Sequence, residues 1–513
     1  MKIHVLCLAI ISLLSAEFIT AKAASTEKPN IVLIMVDDMG WSDIGPYGAE
    51  VIQTPNLDHM AAEGLRFRQF YNNAKCTTTR ASLLTGLYPR KGGKGSELLT
   101  DEMITLGEGM KIAGYQTGLT GKWHNGHSKP HRPYDRGFDQ SYGLWDGCCN
   151  FFDPNQADPK FKGGRVRFFG EDNRRITEFP DDFYTTDAFS DRAVEMIRSF
   201  AKSDAPFFLY VPYTAPHYPL HAKPEDIAKY QGKFSMGWDE LQKRRHAKTI
   251  ELGLVSEKWD LPPRDREAMP WDEAPNKAWQ NARMEVYAAM IDSVDQGIGR
   301  IMKSLKESGV DENTLVIFLS DNGSCAETPG GKDNFDHVPG PKEFYSHVGP
   351  SWAFAQNSPF RRYKVRMHEG GIATPLIARW PKTIPANSFT DQVGHIVDLL
   401  PTFMEMGSVS YPKRFDGKEI LPVEGISLLS VLKSPEETIE RQEPLFWAFS
   451  GNRAVRDGKW KLAWDSKIKQ WELYDMEADR TEMHDLAKTE SVKAKQMATA
   501  WKSWADRTGV KYK

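Results

Sequence analysis

Apolar residues fall along this chain in blocks of different period, and each block predicts an element. Ile31-Val32-Leu33-Ile34-Met35-Val36 is an unbroken apolar run rich in β-branched side chains, the pattern of a strand covered on both faces of a parallel sheet. Leu315-Val316-Ile317-Phe318-Leu319-Ser320 repeats it, Phe207-Phe208-Leu209-Tyr210-Val211 is a third run, and Tyr115-Gln116-Thr117-Gly118-Leu119-Thr120 a shorter fourth. Over residues 283–308 the period changes. Val286, Met290, Ile291, Val294, Ile298, Ile301, Met302 and Leu305 recur at helical spacing, which predicts a helix laid on one face of the sheet. Residues 231–282 are polar, dotted with proline, and carry Trp238, Trp259, Trp271 and Trp279. They read as an insertion over the sheet edge, helical near 238–252, whose tryptophans either pack it down or line a pocket for a ring or sugar. Beyond Gly407 short alternating runs at 446–450, 452–456, 459–464 and 470–474 are parted by turn residues, as in a small antiparallel sheet. A closing helix follows, with Val492, Ala494, Met497, Ala498, Trp501 and Trp504 on one face and Ser491 at its N-cap. The whole reads as α/β, a large and mostly parallel sheet flanked by helices, followed by a smaller sheet-plus-helix unit.

What stands just past the predicted strands is chemically uneven. The first run ends in Asp37-Asp38 and the second in Asp321-Asn322-Gly323. Open α/β sheets bind ligands at the carboxyl ends of their strands. Adjacent carboxylates buried there are costly unless a cation neutralises them. Asp37, Asp38, Asp321 and Asn322 make an all-oxygen set, which favours Ca²⁺ or Mg²⁺ over zinc. Lys122 and His124 follow the short strand, and His217 follows the 207–211 strand. Each alone is an ordinary surface lysine or structural histidine; on the carboxylates' edge they become a site. Cys76 precedes Thr77-Thr78-Thr79-Arg80 at a predicted helix start, where free N–H groups attract anions. A free cysteine is more often a small buried hydrophobe.

Composition narrows the partners. A formal charge of −3 over 513 residues leaves no basic stripe, which argues against nucleic acid. Residues 1–23 have the form of a secretory signal, with Lys2 and His4, an apolar run over 5–14, and Ala21-Lys22-Ala23 at the cleavage site. The expected locale is therefore exported, the bacterial periplasm or outside the cell. The run is too short to span a bilayer and no later stretch is long enough, so no membrane partner is expected. Cys76, Cys148, Cys149 and Cys325 are too few for a disulfide framework, and His124, His127 and His131 lack close partners for a zinc site. The sequon Asn322-Gly323-Ser324 falls on a proposed metal ligand and reads as accidental.

Taken together, the motifs resemble those of type I sulfatases. The carrying residues are Cys76-x-x-x-Arg80 with Ala-Ser-Leu-Leu-Thr-Gly, Asp37-Asp38-Met39-Gly40-Trp41, Thr54-Pro55-Asn56-Leu57-Asp58, Gly121-Lys122-Trp123-His124, Ala215-Pro216-His217, Ser320-Asp321-Asn322-Gly323, and Pro359-x-Arg-x-x-Lys364 before Glu369-Gly370-Gly371. The nearest relatives in pattern are bacterial arylsulfatases. The resemblance implies an alkaline phosphatase-like fold, with a catalytic domain over 24–435 and a C-terminal subdomain over 436–513. It implies oxidation of Cys76 to formylglycine by a maturation enzyme, although Thr78 stands where the pattern usually has proline or alanine. It further implies one Ca²⁺ held by Asp37, Asp38, Asp321, Asn322 and the oxidised Cys76. Arg80 would hold these groups in place. Lys122, His124, His217 and Lys364 would bind a sulfated small molecule or glycan, with His217, alone or with Lys364, protonating the leaving alcohol. The rivals are a phosphate or phosphonate monoester hydrolase on the same fold and, if Thr78 blocks conversion, a binder of sulfated ligands. Similar arylsulfatases place the 145–151 loop near the same rim as Cys325, which pairs Cys149 with Cys325 in a disulfide; the alternative is three buried free thiols.

Overall fold

Strand Asn30–Val36 lies at the centre of the sheet, paired in parallel with Phe207–Pro212 on one side and Thr314–Ser320 on the other. In the computed structural model the described residues are 28–89, 99–331 and 333–512, and the expected leader over 1–23 lies outside them. From one edge the sheet runs Ser388–Thr390, Leu65–Tyr71, Ala373–Arg379, Thr314–Ser320, Asn30–Val36, Phe207–Pro212, Gln116–Thr120, Gln140–Leu144, Phe169–Glu171 and Arg174–Ile176, with Gly394–His395 also on Leu65–Tyr71. Only Ala373–Arg379 and Phe169–Glu171 run against the rest. The mostly parallel α/β sheet read from the apolar runs is therefore the fold observed.

The central strands are apolar throughout because both faces are covered. Successive side chains point to opposite faces, and Phe207 meets Phe200 of helix Thr185–Phe200 while Phe208 meets Phe403 of helix Leu399–Met406. Helix Lys277–Glu307 packs beside Thr185–Phe200. It starts six residues before the predicted 283 because Asn276 caps it, accepting from the Trp279 N–H at 3.2 Å. In the insertion, helix Gly237–Glu251 forms, and Trp238 is buried against Trp271 and Trp352. Of the two readings for those tryptophans, packing is what Trp238 does.

Strands Leu445–Phe449, Asn452–Asp457, Trp460–Asp465 and Gln470–Asp475 form the antiparallel C-terminal sheet. Helix Ser491–Thr508 buries Met497, Trp501 and Trp504 against it. Two details differ from expectation. Glu490, not Ser491, is the N-cap, without a side-chain bond, and Val492 is 71% exposed. Val492 lies five residues before Met497, roughly 140° round the helix from it.

Burial of charge ties this unit to the main sheet. Glu369 accepts from Lys461 Nζ at 2.8 Å, Arg480 Nε at 2.8 Å and Tyr71 Oη at 2.9 Å, and Lys461 also pairs with Glu482 at 2.8 Å. All four charged groups have no exposed surface.

Candidate active site at the carboxyl edge of the sheet

Five strands that run the same way end at one edge, and the chain's chemically distinctive residues follow them there. Asn30–Val36 delivers Asp37 and Asp38, Thr314–Ser320 delivers Asp321 and Asn322, and Gln116–Thr120 leads to Lys122 and His124; Phe207–Pro212 leads to His217 and Leu65–Tyr71 to Cys76. The strand ends are locked to one another, since Asp37 N–H donates to the Ala215 carbonyl at 3.0 Å and Asp321 N–H to that of Val36 at 3.1 Å. Asp37, Asp38, Asp321, Asn322, Arg80, Lys122 and Lys364 are all buried.

The contacts are specific. Arg80 donates from Nε and Nη2 to Asp321 Oδ2 at 3.0 and 2.7 Å, and from Nη1 to the Lys122 carbonyl at 2.8 Å. Lys122 Nζ binds Asp37 Oδ2, and Lys364 Nζ binds Asp38 at 2.7 Å. Asn322 Nδ2 donates to Asp38 Oδ1 at 2.7 Å. His217 Nε2 lies 3.4 Å from Asp38 Oδ2, while its Nδ1 faces the Tyr218 carbonyl at 2.5 Å. A carbonyl can only accept, so the network assigns the neutral imidazole's proton to Nδ1.

Electrostatics follow the contacts. Burial raises the Asp37 carboxyl, and Asp321 raises it further against the pull of Lys122. For Asp38 burial acts the same way, but Lys364 and Lys75 outweigh it and hold the group below its usual range. Burial opposes the charge on Lys364, yet Asp38, Cys325 and Glu327 keep its ammonium well above normal. His124 and His217 are pushed well below 6.5 by burial and then by neighbouring cations, foremost Lys122 and Lys364 respectively. The backbone is strained at the same place: Asp38, Ala74, His124 and Val365 have φ of 67°, 59°, 56° and 77°, which non-glycine residues adopt at a cost and which clusters at functional sites.

Cys76 is the first residue of helix Cys76–Thr85, not the residue before it, and Lys75 is the N-cap without a side-chain bond. The hydroxyls of Thr78 and Thr79 bond outside the helix instead of capping its first turn. Thr79 Oγ1 accepts from Asn73 N–H at 2.9 Å, and Thr78 Oγ1 donates to the Asn73 and Lys75 carbonyls, both at 3.0 Å, closing the turn that presents Cys76. The buried thiol is near enough to Lys122, Arg80 and Lys364 that charge on it favours each cation. The predicted Cys149–Cys325 disulfide is absent: both are buried free thiols, as is Cys148. Cys325 Sγ instead approaches Glu327 Oε2 at 3.6 Å, and burial pushes both thiols well above 9.0, which disfavours the thiolate form.

The 145–151 loop does reach the site. A Cβ on Gly147 would stand 2.5 Å from Cε1 and Nε2 of His124. The imidazole is the free end of a side chain and gives way more easily than backbone. Gly147→Ala is therefore expected to lower kcat on a sulfate ester about tenfold or more, with the urea midpoint nearly unchanged. An unaltered kcat would show that the loop does not position His124. His127 stacks on Phe168 at 4.3 Å and joins no metal cluster among the described residues.

Three participants went unread in the sequence. Glu327 accepts from Lys75 Nζ at 2.8 Å and Tyr218 Oη at 2.9 Å and lies 3.6 Å from Lys364 Nζ. Tyr218 packs its ring 4.0 Å from that of His217. Lys75 carried a signal, its place beside Cys76; Glu327 sits in a loop without period and carried none.

The donor set suits a hard cation. Asp37 Oδ1 and Asn322 Oδ1 are buried without hydrogen-bond partners, and Asp37, Asp38 and His217 each bring a ligand atom within 4.8 Å of the others'. His217 takes part in that cluster in place of Asp321, whose Oδ2 is committed to Arg80 and whose Oδ1 accepts from Asp38 N–H at 3.2 Å. Three carboxylates already face three cations, so a sulfate ester entering this chamber would be unbalanced without a further positive charge.

Known proteins share this arrangement of chain and fold. The family model described as sulfatase matches residues 29–409, and one described as N-sulphoglucosamine sulphohydrolase, C-terminal, matches 361–503. An uncharacterized sulfatase of Schizosaccharomyces pombe is 32% identical over 530 residues, covering 95% of each chain. The arylsulfatase of Klebsiella aerogenes is 34% identical over 456 residues, 83% of this chain and 96% of that one. Among solved structures, Ps i-CgsB in complex with k-i-k-neocarrahexaose has a TM-score of 0.69 and 26% identity over 93% of each chain. A match across the whole sheet domain, together with relatives similar over nearly their full length, places the chain in the sulfatase family, as a sulfuric ester hydrolase.

Proposed function

We propose that this enzyme is exported and hydrolyses sulfate monoesters of a glycan, using formylglycine made from Cys76 and one bound Ca²⁺. The observation that carries the reading is the buried thiol at a helix N-terminus, near enough to Lys122, Arg80 and Lys364 to interact with their charges, and those cations are themselves paired with buried carboxylates. The glycan is favoured over a phenol because a similar structure holds a neocarrahexaose. Asp37, Asp38, Asp321 and Asn322 are the residues that would hold the metal.

Once in place, the hydrated aldehyde would supply a hydroxyl nucleophile and calcium would supply positive charge for the sulfate oxygens. This chain's own residues do the rest. Lys122 and Lys364 offset charge that builds on the sulfate oxygens as the S–O bond breaks. Arg80 fixes Asp321 and the Lys122 backbone in one geometry. His217, with Nδ1–H on the Tyr218 carbonyl, presents a bare Nε2 in its neutral form. An anionic ester offsets Lys364 and Lys122, favours the imidazolium, and so equips Nε2 with the proton the leaving alcohol needs. His124, held neutral by burial and by Lys122 and Arg80, is suited to accept a proton afterwards.

Turnover of 4-nitrophenyl sulfate against 4-nitrophenyl phosphate tests the reaction. Sulfate is expected to be the better substrate, and a preference for phosphate would favour the phosphomonoesterase. Elemental analysis tests the metal: stoichiometric calcium is expected, and chelation should lower the Tm because an ion held only by the folded chain stabilises it. Zinc that survives calcium-only buffers would overturn the ligand argument.

A further inference from the structure

The geometry points to a subsite for an uncharged sugar ring, in a cleft of about 690 Å³ beside the catalytic centre. A run of rings connects the two. His217 and Tyr218 lie 4.0 Å apart, Tyr218 and Tyr345 6.0 Å, and Tyr345 and Phe161 5.3 Å. Phe161, 53% exposed, and Tyr345 line the cleft, and aromatic faces of this kind suit the apolar face of a sugar. Its far wall is fixed rather than loose. Trp279 Nε1 donates to the His337 carbonyl at 2.6 Å, and the His337 ring stacks on Phe344 at 4.3 Å.

Polar atoms without partners mark the same place. Tyr345 Oη, Ser346 Oγ and His347 Nδ1, from three consecutive lining residues, are buried without a hydrogen bond. Ser346 and His347 are only 7% and 5% exposed. Buried polar groups are rarely left so, and because they belong to residues that line the cleft, a rotation of the side chain would bring them to a sugar hydroxyl. Charge chooses the kind of ring. Glu343 lies exposed on the cleft, Asp333 is paired with Arg283 behind it, and no lysine or arginine is among the described lining residues. A second sulfate there would meet the exposed Glu343 and no lining lysine or arginine, while the first is met by Lys122 and Lys364. The subsite thus takes an unsulfated ring next to the sulfated one, a selection that rests on the sulfate-ester reading.

The test measures kcat/KM on monosulfated galactose, on galactobiose with that sulfate on one ring, and on galactobiose sulfated on both, as 4- and 6-sulfates. 4-Methylumbelliferyl sulfate is the control. The neutral second ring is expected to raise kcat/KM about tenfold or more over the monosaccharide, and sulfating that ring should remove the gain. Phe161→Ala should bring the neutral disaccharide down to the monosaccharide, and Glu343→Lys, at an exposed position, should shift preference toward the doubly sulfated one. Equal values for mono- and disaccharide, or turnover of the control alone, would overturn the subsite. Failure on every ester, control included, would instead overturn the sulfatase reading beneath it.

Discussion

Cys76→Ala is expected to lower kcat/KM for sulfate esters by about ten-thousand-fold or more, because removing a nucleophile's source costs about what removing the whole reacting group does. The fold should survive. Cys76 is 2% exposed, and losing one sulfur from a buried site costs on the order of 1 kcal/mol. Cys76→Ser keeps a hydroxyl near Lys122 and Arg80, and should be as inactive unless a serine-specific modification acts on it. Kinetics with 4-nitrophenyl sulfate alongside urea unfolding separates the two effects. Loss of activity with retained stability supports the assignment, and Cys76→Ala retaining a tenth of the rate would remove Cys76 from the chemistry.

Glu369→Ala is expected to have the largest effect on stability, about 3–5 kcal/mol. It leaves Lys461 with Glu482 alone and takes from Arg480 the carboxylate it pairs with, in a fully buried cluster. The pH dependence has a definite sign. Burial raises the Glu369 carboxyl, but Lys461 and Arg480 outweigh it and hold the folded-state value below the usual 4.5. A depressed carboxyl stabilises above its unfolded value and loses that contribution as pH falls through the folded one. The gap between wild type and variant should therefore be full at neutral pH and narrow below about 4.5. Urea titrations at several pH values measure it, and a gap that widens with acid would contradict the arrangement.

The sheet centre was legible because strands buried on both faces must be apolar at every position, and 31–36, 207–211 and 315–319 obey that. Its edge was not. Leu65–Tyr71 alternates arginine with aromatics, and the strand is recognisable only once Arg66 and Arg68 are seen stacked on Phe389 at 4.0 and 4.6 Å. Ala373–Arg379 carries Pro375, and the register against Leu65–Tyr71 shifts beside it, between Phe67 and Phe70. A proline lacks the N–H a ladder needs, so such a segment does not read as a strand. Within the site, residues just past apolar runs were legible as a set, because parallel strands bring their carboxyl ends together. Glu327 and Tyr218 were not, since long-range ion pairs and ring contacts from irregular loops leave no period. The Cys149–Cys325 pairing failed for a related reason: nearness to one rim does not bring two thiols into bonding geometry.

The proposed reaction depends on formylglycine at position 76. Peptide mass gives the converted fraction of Cys76 in preparations made with and without a maturation enzyme, and 4-nitrophenyl sulfate gives each preparation's rate. The rate is expected to rise in proportion to the converted fraction and to vanish when Cys76 is intact, Thr78 notwithstanding. Sulfate ester hydrolysis at an undiminished rate by protein whose Cys76 is wholly unmodified would contradict it.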